Sequence, residues 1–354
     1  MNFFKNLSRR PFFIKLMHWE YWSFSAVYVP IYFYWIWLCI KARSFFFFNA
    51  ANPTIKNGGF LMESKKDIYD IMPQAFYPPT LLFKAGATDA EIIQALTNTP
   101  LGYPMIGKPD IGGRGKGVKK LHSIQDVLQY AKASKVDFLL QQFVPFENEL
   151  GIFYCRMPGE AKGHISGIVS KEFLTVTGNG TSTIEELLLT DTRYILQMPV
   201  LKATYGNTLQ NVLPNGEKFL MVPYGNHARG AKFIDVSHLA DEKLNAAMDA
   251  VCQQIPQFYY GRMDVRYNTW EELQQGKNFS LIEVNGAGSE PTHIYDPTHS
   301  IFFAWREIIR HWKLLYKISI LNHRKYNAPY LNFKDGVKMF KENSAYEKIF
   351  AESI

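Results

Sequence analysis

The chain lacks the residue patterns that supply a covalent catalyst or a soft-metal site. Its 354 residues include three cysteines, Cys39, Cys155 and Cys252. Their spacing is neither that of a metal motif nor that of a disulfide framework, which suits a reducing compartment. The nine histidines do not cluster at ligand spacing, so His164, His293 and His299 read as ordinary hydrogen-bonded residues. No serine-histidine-aspartate or cysteine-histidine arrangement stands out. Zinc-finger, RNA-recognition and helix-turn-helix signatures are also missing, so the net charge of +7 does not point to nucleic acid. There is no internal repeat and no low-complexity linker. Charge itself is absent from one long stretch, residues 21–40.

That stretch is long enough to span a bilayer, which takes about 20 residues. Nine of its twenty residues are Trp, Tyr or Phe, types that prefer the headgroup interface, and Pro30 interrupts its middle. Lys5, Arg9, Arg10 and Lys15 precede it, Lys41 and Arg43 follow, and Phe45-Phe46-Phe47-Phe48 comes next. No small-residue cleavage site marks it as a removable leader. The expectation is a membrane-interfacial N-terminal segment over residues 1–60. Residues 301–317 support it. Ile301, Trp305, Ile308, Trp312 and Leu315 form a helical stripe, and Arg306, Arg310, Lys313 and Lys317 fall within about 60° of one another on the same helix. Such a basic arc suits anionic headgroups.

Residues 103–118 read Tyr-Pro-Met-Ile-Gly-Lys-Pro-Asp-Ile-Gly-Gly-Arg-Gly-Lys-Gly-Val, with Gly112, Gly113, Gly115 and Gly117 in six positions. A backbone so freed can approach a ligand and offer its N–H groups to phosphate. Lys108 sits just before it on a short apolar strand. The segment fits neither the P-loop nor the dinucleotide fingerprint. A helix follows, opened by Ser123 and Asp126 at capping-box spacing, then an apolar strand over residues 138–144 ending in Gln141, Gln142, Phe143 and Val144, then Glu147 and Glu149. Far downstream, residues 258–267 read as a strand bearing Arg262 and Asp264, and residues 281–285 as one bearing Glu283 and Asn285. Side chains two apart share a face, so Val284 points to the core while two carboxylates, an amide and a guanidinium converge. Hard oxygen donors of this kind suit Mg²⁺ with phosphates.

This order of parts, over about residues 63–295, resembles the ATP-grasp superfamily, in particular its D-alanine–D-alanine ligase, cyanophycin-synthetase and glutathione-synthetase type carboxylate–amine ligases. The resemblance implies an α+β fold of two subdomains gripping ATP: residues 61–145 with the lid, residues 146–300 with the metal site, and a basic amphipathic helix and tail over residues 301–354. It assigns Lys108 and Lys65 (or its neighbour Lys66) to phosphate, Gln141, Gln142 and Val144 to adenine, and Glu149 to ribose. Asp264, Glu283 and Asn285 would hold Mg²⁺, with Mn²⁺ as a substitute. Arg262, Arg229 and Lys232 would face the transferring phosphoryl group. The implied activity joins a carboxylate to an amine through an acyl phosphate. Two alternatives share the nucleotide fold: a phosphotransferase, and a nucleotide-regulated membrane protein without turnover. A substrate domain of about a hundred residues usually opens such enzymes, and here the aromatic segment stands in its place. An amphiphilic or amino-acid-type substrate at the cytoplasmic face of a membrane is therefore expected. Ser182 and Glu185, after the turn at Asn179, are expected to cap a further helix.

Overall fold

The computed structural model describes residues 10–99, 101–113, 115–222 and 230–353. Arg229, expected at phosphate, lies outside the described residues, as do Arg114 of the glycine loop and Lys5 and Arg9. The described chain is α+β. Strands β1 (Thr80–Phe83), β2 (Met105–Pro109), β3 (Lys119–Leu121) and β4 (Phe138–Gln142) form an antiparallel sheet in the order β1-β4-β2-β3. The inner strand β4 is buried on both faces, which is why it opens on the apolar run Phe138-Leu139-Leu140. Helices Asp89–Asn98 and Ile124–Ala133 cover one face through Ile92, Val127 and Tyr130. The Ser123–Asp126 capping box forms as expected: Ser123 Oγ accepts from Asp126 N, and the Asp126 carboxylate accepts from Ser123 N.

A second antiparallel sheet begins with β5 (Asn148–Cys155) and β6 (His164–Glu172). The chain then leaves it for a small ladder, β7 (Leu174–Thr177) with β8 (Lys218–Val222), which has its own core. It returns through β9 (Lys232–Asp235), β10 (Tyr260–Tyr267) and β11 (Phe279–Asn285), giving the order β11-β10-β5-β6-β9. In the excursion, helix Ile184–Leu188 is capped by Thr183 with Glu186, one residue later than expected. Ser182 is already taken: Asn179 Nδ2 donates to its hydroxyl, and its own N–H donates to Asn179 Oδ1.

Alternation along β10 sends Met263 and Val265 beneath helix Glu242–Cys252 and turns Arg262, Asp264 and Arg266 to the other face. Strict alternation along β11 would group Leu281 with Glu283. The register instead slips: Asp264 pairs with Glu283 but Val265 pairs with Leu281, leaving Ile282 over. The bulge lets Leu281 and Val284 both reach the core while Glu283 stays beside Asp264.

The aromatic N-terminal block is a third layer. Leu38, Cys39, Phe46, Phe47 and Phe48 pack on Phe153, Cys155 and Tyr260 of the second sheet and on Leu315 and Ile318 of helix Ile301–Tyr326. Trp312 stacks on Tyr32, and Trp305 Nε1 donates to Val27 O at 2.8 Å. Because the apolar stripe of the long helix is spent on this block, the basic arc points away from it rather than beside it. Arg310 leaves the arc altogether, bonding the Glu307 carboxylate and the Ser166 carbonyl. Helix Phe333–Ala351 then packs Gly336 against Phe46 and brings Tyr346 and Phe350 back to the glycine loop.

Asn52 joins this layer to β10. It is fully buried, donates to Gly58 O at 3.0 Å and Tyr260 O at 2.8 Å, and accepts from Tyr259 N and Tyr260 N. Asn52→Ala removes a buried hydrogen bond from four backbone groups, of which Gly58 O keeps Ala287 N, and is expected to lower stability by about 3–5 kcal/mol. Urea unfolding of the variant against the parent measures this directly.

Candidate active site

The two sheets and the N-terminal layer enclose a cavity of about 600 Å³. Lys108 crosses from one sheet to the other. Its Nζ donates to Gln141 Oε1 at 2.8 Å, Tyr69 Oη at 3.0 Å and Ile282 O at 2.9 Å, the last being the carbonyl that the β11 bulge releases. Burial pulls the Lys108 pKa down from 10.5 to about 8, against the raising influence of Glu283, Asp110 and Asp264. Lys65 opens helix Lys65–Asp70, which Ser64 caps. Its Nζ reaches Asp110 O and Gly112 O and lies 3.6 Å from Glu283. Of the two lysines Lys65 lines the cavity, while Lys66 turns to Asp70.

The glycine loop lies over these lysines. Gly112, Gly113 and Gly115 line the cavity, and Gly115 adopts φ +64°, which favours glycine. Gly117 does not line it. At φ +69° it packs against Phe350, where a Cβ would come within 3.2 Å, and its carbonyl accepts from Tyr130.

The floor is a buried ion network on the second sheet. Lys171, on β6, donates to Glu149 Oε1 at 2.8 Å and lies 2.9 Å from Asp264 Oδ2. Arg262 Nε holds Asp264 Oδ1 at 3.0 Å, and Arg266 holds Glu149 Oε2 at 3.2 Å. Burial works against every charge here, but Arg262 and Lys171 outweigh it at Asp264 and bring that carboxyl to about 2. Asp264 and Glu149 likewise raise the Lys171 pKa despite burial.

The expected site residues are thus largely brought together, and three of them have partners within the protein. Glu149, expected at ribose, has both oxygens engaged by cations, as does Asp264. The Gln141 oxygen, expected to accept from adenine, accepts from Lys108, while its Nε2 donates to Thr80. Gln142 lines the cavity but accepts from Gly102 N at 2.7 Å, leaving Phe143 and Val144 as the apolar wall. Lys232 is not among the lining residues; its neighbour Phe233, paired with Lys171, is. Lys171 was missed. Its signal was the one that revealed Lys108, a lysine at the end of an apolar strand.

For a divalent metal the donor chemistry fits in part. Asp264 and Glu283 are cross-strand partners, and Asn285, opposite Arg262, has a buried Nδ2 with no hydrogen-bond partner. Among the described residues no three His, Cys, Asp or Glu side chains converge as a metal cage. Two carboxylates completed by phosphate oxygens is nevertheless the set that Mg²⁺ commonly takes.

No protein-family model matches the chain, and no curated protein matches it. Among solved structures the chain is similar to a bifunctional glutathione synthetase from Pasteurella multocida, at 12% identity and TM-score 0.39 over 73% of this chain and 38% of that one. It is also similar to VanG D-Ala:D-Ser ligase from Enterococcus faecalis, at 13% and 0.40 over 72% and 61%. A third is D-alanine–D-alanine ligase from Bacillus anthracis, at 13% and 0.39 over 74% and 67%. The chain spans less than two thirds of the first two. At this distance the residues of the cavity itself carry the functional reading.

Lys108 yields a pH test. Protonated it attracts a triphosphate, so affinity for Mg-ATP is expected to fall as pH rises through about 8, by at most about tenfold per unit for one proton. Lys108→Arg keeps its charge and should flatten that step. Calorimetric titrations from neutral to alkaline pH compare the two proteins.

Proposed function

We propose that the protein is an ATP- and Mg²⁺-dependent carboxylate–amine ligase of ATP-grasp architecture. One observation carries the reading: Lys65, Lys108 and Lys171 converge with the backbone of Gly112, Gly113 and Gly115 in a single cavity, facing Asp264 and Glu283. Three ammonium groups and a glycine-rich backbone gather phosphate oxygens. Phe143 and Val144 give a flat base an apolar wall, with Lys120 4.1 Å from the Phe143 ring centroid. Asp264, Glu283 and Asn285 would hold Mg²⁺, which when bound neutralises phosphate charge. Arg262, gripped by Asp264 and donating to the Glu290 carbonyl, is aimed toward the loop after β11, where a carboxylate would receive the phosphoryl group. None of the three cysteines is an alternative nucleophile, since all are buried, and burial holds the thiols of Cys39, Cys155 and Cys252 in their protonated form. Catalysis therefore rests on positioning and focused charge.

Glu283→Gln keeps size and removes one charge from this centre. ATP turnover with the true substrates is expected to drop at least about 10²-fold while the circular dichroism spectrum is unchanged. Parent-level turnover in the variant would remove the metal assignment, and ADP formed with a stable phosphorylated product, in place of an amide and free phosphate, would favour the phosphotransferase.

The second part of the proposal is location, at the cytoplasmic face of a membrane. The helical run Phe24–Ala42 is long and apolar enough, by length and composition, to cross a bilayer. Its inner face is committed to the protein core. On its outer face Phe33, Ile36, Trp37 and Ile40, spaced three and four apart, are 47–69% exposed, with Lys41 and Arg43 at the end of the helix. An apolar stripe bordered by cations, on a helix packed along the body, suits lying in a headgroup layer more than crossing it. Serine at Phe33, Ile36 and Ile40 together should release the protein from anionic phosphatidylglycerol vesicles in a sedimentation assay without unfolding it. A parent protein that stays in the supernatant would end the membrane proposal.

A further inference from the structure

The phosphate grip occupies one end of the cavity, and the N-terminal layer lines the other. Charge at that second end is already matched within the protein. Glu20 faces Arg193 at 3.7 Å. Glu290 accepts from the Tyr28 hydroxyl at 2.6 Å and from the Tyr295 hydroxyl at 3.2 Å, and the Arg262 guanidinium acts on it as well. What this end offers a ligand is therefore mainly apolar surface.

That surface comes from three parts of the chain. Val27 and Phe24, one helical turn apart, line the cavity together with Trp22. Leu196 of the excursion and Phe233 of β9 line it too. The wall runs outward, since Val27 is buried while Phe24 and Trp22 are 48% and 36% exposed. At the mouth, helix Pro11–Met17 exposes Phe12, Leu16 and Met17 beside Lys15, which also lines the cavity. The rim is thus apolar as well as the wall. A hydrocarbon chain laid on such a surface gains about fourfold in affinity for each methylene it buries. Two hydrogen-bond donors in the same cavity remain for a polar head. Arg262 spends Nε on Asp264 and Nη1 on the Glu290 carbonyl, and its Nη2 makes no hydrogen bond among the described residues. The Thr292 hydroxyl is buried with no partner. Both groups flank Gly151, where an added Cβ would lie 3.4 Å from Arg262 Cδ and from Thr292 Oγ1.

We propose that the carboxylate substrate carries a hydrocarbon chain, held along Val27, Phe24, Trp22 and Leu196, with its head at Arg262 and Thr292. The inference rests on the ligase reading for the head, because the group presented to the phosphates is then the carboxylate. The chain rests on the wall alone.

Calorimetric titration of the full-length protein with butanoate, hexanoate and octanoate, in buffer without membranes, tests the proposal. Affinity is expected to rise at least about tenfold from butanoate to octanoate, at a single saturable site. Phe24→Ser removes part of the wall and Leu196→Trp fills the space beside it, so either should flatten the series while the circular dichroism spectrum stays parental. Equal affinity across the series, uptake of octanoate without saturation, or folded Phe24→Ser and Leu196→Trp proteins that both keep the parental series would overturn it. Octylamine binding more tightly than octanoate would overturn it as well, by giving the chain to the amine. The same samples titrated with Mg-ATP separate the two readings. Nucleotide binding without dependence on chain length sinks this inference alone. Dependence on chain length without nucleotide binding sinks the ligase reading and leaves the chain site standing.

Discussion

The buried charge network of Lys171, Glu149, Asp264, Arg262 and Arg266 is the constraint on which the cleft depends. Removing that many charges from water is costly, and the attraction between them offsets the cost only if every oxygen and ammonium finds a partner in good geometry. The antiparallel register supplies that geometry, since Arg266 pairs with Glu149 across β10 and β5 while Asp264 stands opposite Gly151. Gly151 matters here because a side chain would fill the space that Arg262 and Val169 occupy. The network leaves a dense but nearly balanced patch of charge on a rigid sheet. Introducing a polyanion tips that balance locally, which lets a preformed surface respond to phosphate without large rearrangement.

Around this floor the molecule uses its ends as walls. The N-terminal layer closes one side of the cavity with Tyr28 and Tyr295 on Glu290, and is anchored through Asn52, Trp305 and the phenylalanine cluster. A segment that looks on hydropathy alone like a detachable anchor is in fact half core. Its inner residues stabilise the second sheet, and only its outer stripe is available to a partner. Removing it would unroof the cavity as well as any docking surface.

The sequence made the lysine- and glycine-rich end of the cavity legible because that end obeys local rules. Lysines on apolar strands, a glycine cluster, a capping box and alternating carboxylates each announce their geometry within a few residues. Roles that depend on a second strand were hidden. Glu149 and Lys171 are 22 positions apart, and nothing local says that each satisfies the other. The Gln141 oxygen meets Lys108 through the pairing of β4 with β2, two strands more than thirty positions apart in the chain. The bulge at Ile282 was invisible because a register slip is a property of a pair of strands, and strict alternation was the only rule available to one strand read alone. The basic arc was legible only in part: helical angles place Arg306, Lys313 and Lys317 on one side of the helix, but cannot show that Arg310 turns to Glu307 and Ser166.

The C-terminal helix has a consequence of a different kind. It touches Phe46 of the N-terminal layer through Gly336, and the glycine loop through Tyr346 on Ile111 and Phe350 on Gly117, while Lys116 reaches Glu347. The N-terminal layer and the C-terminal helix therefore meet behind the glycine loop. The conformational entropy of that loop is shared with a helix, and the helix shares its own footing with the apolar layer. A continuous chain of packed contacts, from Phe46 through Gly336 and the C-terminal helix to Phe350 and Gly117, therefore joins the apolar layer to the glycine loop.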